Sequence, residues 1–384
     1  MRMLVMGAGL QGSACAYDLL KSEGVEHVRL ADLDFTNLPA FLQPFAADKR
    51  LELVRADARD AGSVRAVMEG MDACMNALPY YFNLDITRLA VDAGLHYCDL
   101  GGNTAIVFEQ LELNDKALAK GISVIPDCGL APGMVNILSA KGIEAMDRAD
   151  RVKIYVGGLP QNPQPPLNYQ IVYSIEGVLD YYTTKSWIVR DGEPQEIDAL
   201  TEIEPVDFPA PVGRLEAFHT AGGLSTMPWN WQGRVRNMEY KTLRYPGHAE
   251  IMRTIRDLGL LELEPIDVKG ETVVPRDVFI AQVEPRLKKP DAPDVVALRV
   301  EVEGEKQGKS HRLTWDLIDR RDEKHGISAM ERTTGFSLSV TGQLQASGAA
   351  RQLGVKTPDV ATPPDLYIAE LRKRGIDIQE RSGV

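Results

Sequence analysis

Residues 7–12 read GAGLQG, between the apolar run MLVM and a stretch with helical periodicity. Gly7, Gly9 and Gly12 follow the spacing G-x-G-x-x-G, and each has its own physical task in that setting. Gly7 permits a sharp turn. Gly9 leaves the backbone bare, so that a pyrophosphate can approach. Gly12 lets helix and strand pack closely. Leu10 and Gln11 fall in the same turn and count among the cofactor-facing residues. The N-terminus of the following helix offers free N–H groups and a positive dipole end to phosphates. About twenty residues further on, VRLADLD places Asp32 at the end of a second strand. A carboxylate there accepts hydrogen bonds from the adenosine ribose and repels a 2′-phosphate. No arginine follows directly to welcome that phosphate. The pattern therefore favours NAD over NADP.

Later strand ends extend the same rim. Asp57, in RADARD, is placed to reach the adenine edge or, equally well, to cap the next helix. Asn76 and Leu78, in NALPYY, fall where a dinucleotide crosses a doubly wound sheet, and Pro79 shapes the loop beside the nicotinamide. HYCDLGGN (96–103) and PDCGLAPGM (126–134) put Asp99 and several glycines at two more carboxyl strand ends, where open α/β sheets bind ligands.

These loops need a scaffold, and the first 130 residues supply one. Strand-like runs at 3–6, 28–32, 51–57, 73–78, 96–100 and 122–127 alternate with helical segments at 10–22, 63–71, 83–94 and 104–121. Ser63 is the expected cap of the second helix. Glycines close the third and fourth. The alternation predicts a Rossmann-type, doubly wound parallel sheet, the α/β class. Beyond residue 130 the rhythm becomes α+β with a mixed or antiparallel sheet, and DVVALRVEVEGEKQGKSHRLTWDLIDRR reads as a long hairpin. Its outer edge at 295–320 is expected to be open, which suggests pairing with a second copy in a homodimer. Small-residue and proline-started helices after residue 330 are expected to return to the first domain. The expected division is 1–130 plus 330–384 for dinucleotide binding and 131–329 for substrate and oligomerisation.

Composition narrows the partners. The 384 residues carry 44% hydrophobic and 26% charged side chains and a net charge of -12. An acidic chain without basic blocks is a poor nucleic-acid binder. No apolar run is long enough to span a bilayer, and no leader pattern precedes the first strand. A cytoplasmic location is expected. Cys15, Cys74, Cys98 and Cys128 form no C-x-x-C pair and no Cys/His cluster, so no metal is expected and buried thiols are favoured.

GAGLQG, NALPYY, YCDLGG and DCGLAPGMVNIL, followed by EAFHTAGGLSTMP and KTLRYPGH, together resemble the saccharopine dehydrogenase-like oxidoreductases. The likeness runs from residue 1 to about residue 345 and is strongest to members that oxidise L-lysine at C6 with NAD. It implies a small amino acid substrate, a hydride passed to NAD, release of ammonia, and an aldehyde that cyclises to Δ1-piperideine-6-carboxylate. A free lysine amine has a pKa of about 10.4, so a group must take its proton before hydride can leave. Asp99, Glu176 and His219 are the candidates, Glu176 because neighbouring aromatics could desolvate it. Arg244, in LRYPGH, would grip the α-carboxylate. Thr226 and His248 would contact the α-amino end, and Tyr80 would line a channel for the methylenes. Trp229 and Trp231 are expected to pack. Two alternatives stand beside this. A saccharopine or opine-type reductase would need a second clamp such as Arg236. A non-catalytic NAD(H) sensor would keep the glycines and Asp32 alone.

Overall fold

The computed structural model describes residues 1–289, 292–350 and 352–383. Strands β1 (Arg2–Met6), β2 (His27–Asp32), β3 (Leu51–Arg55), β4 (Ala73–Asn76), β5 (His96–Asp99) and β6 (Ser123–Ile125) alternate with α1 (Leu10–Lys21), α2 (Ala61–Met68), α3 (Asn83–Ala93), α4 (Thr104–Leu111) and α5 (Asn114–Lys120). The stretch expected as one helix over 104–121 is thus two, α4 and α5. Asp60, not Ser63, caps α2: its side chain accepts from the Gly62 N–H. The Ser63 hydroxyl instead accepts from the Asp57 N–H at 3.1 Å. Strands three to six stop two residues short of the expected ends or nearly so, because the chain turns into the rim loops there.

The second half contributes α6 (Met134–Glu144), β7 (Arg148–Pro160), α7 (Ile175–Thr183), β8 (Ser186–Arg190), β9 (Glu193–Ile197), β10 (Glu204–Asp207), β11 (Arg214–His219), α8 (Met227–Asn230), β12 (Val235–Arg244), α9 (His248–Asp257), β13 (Ile266–Val268), β14 (Glu271–Val273), α10 (Pro275–Leu287), β15 (Asp294–Lys306) and β16 (Lys309–Arg320). The chain ends with α11 (Ala329–Ala346), β17 (Gly354–Val355), α12 (Pro358–Ala361), α13 (Pro364–Lys373) and β18 (Gln379–Gly383).

The first sheet has seven strands in the order β17-β6-β5-β4-β1-β2-β3, every pair parallel. The order reverses beside β1, and that switch point is where an open parallel sheet forms its crevice. The second sheet has nine strands, with β10-β11-β12-β7-β15-β16-β18 as its path and β8 and β9 attached to β12. It is mixed, because β12 runs parallel to β7 while its other pairs are antiparallel.

The long hairpin is present as β15–β16, but its edge is partly covered. β15 pairs along β7, and the C-terminal strand β18 covers β16 from Arg312 to Asp316. Pairing within the chain thus takes up the middle of the edge that was expected to be open, over Arg312–Asp316 of β16.

α11 fixes the glycine helix. A Cβ at Gly335 would stand 2.7 Å from the Ala14 Cβ and 2.7 Å from the Gln11 carbonyl oxygen, so only glycine admits this approach of α11 to α1. The buried Asp18 of α1 accepts from Arg374 Nε at 2.7 Å and from Ser339 Oγ at 2.7 Å. The terminal helices thus clamp the back of α1. A core of buried Met3, Val5, Leu19, Ile137, Leu298, Trp315 and Leu338 runs continuously from the first sheet into the second.

Candidate active site

The glycine loop has the form its spacing requires. Gly7 has φ +96°, a value that strongly favours glycine. A Cβ at Gly12 would stand 1.8 Å from the Gly7 carbonyl oxygen. A Cβ at Gly9 would meet nothing within 4 Å, so the space in front of it is open. No side chain caps α1, and Gly9 is its N-cap. Its first N–H groups therefore have no acceptor within the helix. Asp32 Oδ2 accepts from the Ala8 N–H at 2.5 Å, which holds the carboxylate against the loop. Leu10 is exposed beside the opening, and Gln11 points its Oε1 into a buried position without a hydrogen-bond partner. This cradle fits an adenine dinucleotide: phosphate at the helix end, ribose at Asp32.

The neighbouring strand ends are held by partners within the chain. Asp57 is held by Arg59, with Nη2–Oδ2 at 2.8 Å, and the pairing pulls its carboxyl down to about 2. Asn76 is buried and spends its amide on Asn83 Oδ1 at 3.0 Å and Tyr97 OH at 3.1 Å, while its Oδ1 accepts from the Leu78 N–H. It shapes the loop that lays Leu78 over Gly7, rather than presenting a free polar group. Leu78 Cδ2 would be 3.3 Å from a Cβ at Gly7.

A cavity of about 370 Å³ lies between the rim of the parallel sheet and the second half. Tyr80, Gly102 and Asn103 line it from one side, and Asp180, Tyr181 and Ser225 from the other. The glycine pair of HTAGGLS lets two tyrosine rings close in: Tyr181 lies against Gly222 and Tyr240 against Gly223. Asn136, on α6, ties this loop to the PDCGLAPG loop by donating to the Leu224 carbonyl at 3.1 Å and accepting from the Gly133 N–H at 2.6 Å. A larger cavity, about 600 Å³, lies among α1, α11 and α13 and is lined by none of the residues singled out in the sequence.

Arg244 is 3% exposed and is not among the residues that line this cavity. Its Nε donates to Tyr182 OH at 3.1 Å and its Nη1 to the Leu243 carbonyl at 2.8 Å. The guanidinium also lies 4.8 Å over the Tyr169 ring. Among the described residues no carboxylate lies within ion-pair distance of it. Burial opposes its charge, but the surrounding tyrosines Tyr182, Tyr169 and Tyr173 favour it, and its pKa is raised. His248 is buried with Nε2 at 3.0 Å from Tyr182 OH and Nδ1 at 3.1 Å from the Leu167 carbonyl. Burial and Arg244 push the imidazole down to about 3, so it is neutral. Since a carbonyl only accepts, Nδ1 carries the hydrogen and Nε2 accepts from Tyr182.

The three candidate proton acceptors are not brought together. Asp99 is fully buried, and both oxygens are used: Oδ1 by the Gly101 N–H at 2.8 Å and Oδ2 by Gln110 Nε2 at 2.7 Å. It pins the glycine-pair loop. Glu176 is exposed in the first turn of α7, bonded to Ser174 Oγ at 3.0 Å; the expected desolvation by aromatics is absent, because they turn to the other face of the helix. His219 faces away from the cavity lining, toward Glu202 at 3.2 Å and Glu239 at 3.7 Å. Those three side chains could offer ligands to a cation, but Lys153 and Lys241 already sit among Glu204 and Glu239. Thr226 is buried at the start of α8, where its Oγ1 accepts from Asn230 Nδ2 at 3.3 Å. Arg236 is exposed and paired with Asp191 at 3.2 Å. Trp229 packs between Phe108 and Trp187, and Trp231 is buried with Nε1 donating to Asp359 at 2.9 Å, as expected of packing residues. All four cysteines are free and buried.

Sequence reasoning missed Asp127. It is 2% exposed, has φ +62°, and is bonded to the Ser225 hydroxyl at the cavity. Its other oxygen has no hydrogen-bond partner. Its place in PDCGLAPG was the available signal.

The chain matches the family model of the saccharopine dehydrogenase C-terminal domain over residues 129–376 and that of the saccharopine dehydrogenase NADP binding domain over residues 3–125. It is 23% identical over 269 residues to saccharopine dehydrogenase (NADP+, L-glutamate-forming) of Saccharomyces cerevisiae, covering 68% of this chain and 58% of that one. It is 24% identical over 220 residues to the enzyme of the same name from Pyricularia oryzae, covering 55% and 48%. The chain therefore spans about half the length of these curated relatives. Its fold is similar to that of the apo yeast saccharopine dehydrogenase, with a TM-score of 0.79 at 19% identity over 100% of both chains. It is also similar to a homospermidine synthase of Legionella pneumophila in complex with NAD, with a TM-score of 0.70 at 11% identity over 100% of this chain and 91% of the other. Among the described residues no helix is long and apolar enough to cross a membrane.

Proposed function

Because the chain belongs to the saccharopine dehydrogenase family, we propose that it is a nicotinamide-dependent amino acid dehydrogenase, and specifically that it oxidises the ε-amine of L-lysine with NAD. The observation that carries this is Arg244, a buried cation that has no anionic partner among the described residues and packs against Tyr169 and Tyr182. A charge kept in such a place is stabilised best by a ligand carboxylate. In this reading the substrate carboxylate pairs with Arg244, and its side chain extends toward the rim that carries the glycine loop. Tyr80, with its ring at the cavity, faces the methylenes.

The dinucleotide, when bound, supplies the hydride acceptor. Gly9 and the start of α1 hold its phosphates, and Asp32 holds the ribose and disfavours a 2′-phosphate. The chain's remaining tasks are to hold the carboxylate, take the ammonium proton to leave a free amine, and, once hydride has left the carbon that bears it, admit one water to the iminium carbon. Ammonia then leaves, and the aldehyde closes on the α-amine.

A second reading has support in the names of the relatives: splitting or forming saccharopine. That substrate carries additional carboxylates and calls for more than one cation. Arg236 is ion-paired at the surface, and Lys185, at the cavity, is exposed and paired with Glu196 at 3.3 Å. Among the described residues, a single unpaired buried cation favours a substrate with one carboxylate. The test is reduction of NAD or NADP, followed by absorbance, with L-lysine, saccharopine, L-ornithine and other amino acids in turn. Reduction of NAD with L-lysine and release of ammonia is the expected result. Turnover with saccharopine alone overturns the lysine assignment. Binding of NADH without turnover of any amino acid would leave a sensor.

A further inference from the structure

The PDCGLAPG loop leaves β6 at the carboxyl end of the parallel sheet and immediately forces Asp127 into the left-handed region, φ +62°. Its carboxyl group enters a space that only glycine can leave open: a Cβ at Gly101 would overlap Asp127 Oδ1. The Asp127 N–H is itself held by Asp99 Oδ1 at 3.2 Å. Asp127 Oδ2 is bonded to Ser225 Oγ, and Oδ1 is buried without a hydrogen-bond partner. Ser225 also has a positive φ, +49°, and lines the cavity. Two residues 98 positions apart are thus both held in strained backbone, which brings one hydroxyl and one carboxyl together at the cavity wall.

We propose that Ser225 and Asp127 form the proton relay of this site, with the Ser225 hydroxyl meeting the substrate nitrogen and Asp127 receiving the proton. This rests on the amine-oxidising function proposed above. In the step, a substrate N–H bond breaks and its proton passes to Ser225 Oγ. The Ser225 O–H bond breaks in concert, and its proton passes to Asp127. An ammonium and a carboxylate become an amine and a carboxylic acid, with no change in oxidation state. Asp127 is a positioning residue acting through Ser225, which touches the substrate.

The ionisation of Asp127 suits the task. Burial raises its carboxyl, the Ser225 hydroxyl opposes that, and Asp99 and Asp359 add to it, leaving it at about 8. Tyr181 and Cys128 also face it. A base near that value can take a proton at mildly alkaline pH.

The test uses the full chain and the variants Asp127→Asn and Ser225→Gly. Asparagine tolerates the left-handed backbone and glycine relaxes it, so both variants are expected to fold and to bind NADH as wild type does. In wild type, the pH profile of kcat/KM for L-lysine is expected to rise with a midpoint near 8. Infrared difference spectra of the free protein are expected to lose one protonated-carboxyl band with the same midpoint. D127N should lose the band and the pH limb, and fall roughly 100-fold or more in kcat. S225G should lose rate but keep the band. If wild type oxidises an amino acid and D127N keeps its rate and profile, the relay is overturned while the function stands. If wild type oxidises no amino acid, function and relay fall together, whatever the infrared titration shows.

Discussion

The Tyr182 hydroxyl stands 3.0 Å from His248 Nε2 while accepting from Arg244 Nε at 3.1 Å. Because His248 Nδ1 donates to the Leu167 carbonyl, every proton in this chain has one place to be. The imidazole is the neutral orienting member and the guanidinium the charged one. The arrangement holds Arg244 in place without neutralising it.

His248 should weaken the fold in acid. Its pKa is about 3 in the folded chain against an ordinary 6.5. The unfolded chain therefore takes up a proton first as pH falls. The stability that His248 contributes is present above about 6.5 and is lost at about 1.4 kcal/mol per pH unit down to about 3. Denaturant melts of wild type and His248→Gln between these limits check this; the variant should show a shallower loss.

Arg244→Met should raise KM for the amino acid while sparing dinucleotide affinity. A charged hydrogen bond is worth about 1.5–3 kcal/mol, which is about 10- to 150-fold in KM. Arg244→Lys should recover little of it, since an ammonium cannot make the planar two-point contact. Steady-state kinetics matching wild type would assign Arg244 to packing on Tyr169.

Asp32→Ala should weaken NAD binding by about 10- to 100-fold and narrow the preference over NADP, because it removes the ribose acceptor and the charge that repels a 2′-phosphate. Titration of both reduced coenzymes by fluorescence measures this. An unchanged ratio would contradict the role of Asp32.

Gly9→Ala and Gly12→Ala should separate binding from folding. A Cβ at Gly9 touches nothing, so the first variant should melt like wild type yet bind dinucleotide poorly. A Cβ at Gly12 collides with the Gly7 carbonyl, so the second should lose about 1–3 kcal/mol of stability or more. Thermal melts with and without NADH distinguish them.

Asp127→Asn should gain stability as pH rises. The Asp127 carboxyl goes from an ordinary 3.8 to about 8 on folding. Its favourable contribution is complete below about 3.8 and is lost as pH rises through about 8. The variant does not titrate, so its melting temperature relative to wild type should climb across that window and level off above it. A constant difference would mean that Asp127 ionises normally.

Local spacing made half of this protein legible. GAGLQG, the strand before it and Asp32 all lie within 32 residues of one another, and their geometry follows from one turn and one βαβ unit. The hairpin at β15–β16 was equally plain from alternation, but whether its edge was open was not. That depended on β18, about sixty residues away, whose own sequence carries little strand signal. Glu176 beside aromatics, His219 beside a glycine pair and Asp99 at a strand tip read alike along the chain. Folding sorted them by burial and partner: one faces solvent, one meets glutamates, and one is spent on backbone N–H groups and the Gln110 amide.

By itself, then, the sequence determined where a dinucleotide cradle forms, because a glycine turn is decided by residues next to each other. Tertiary structure alone decided which charges stay unpaired. Arg244 lacks an anion, and Asp127 meets Ser225, only because distant loops close over them, and the desolvation that gives such groups their chemistry does not exist until the core has formed.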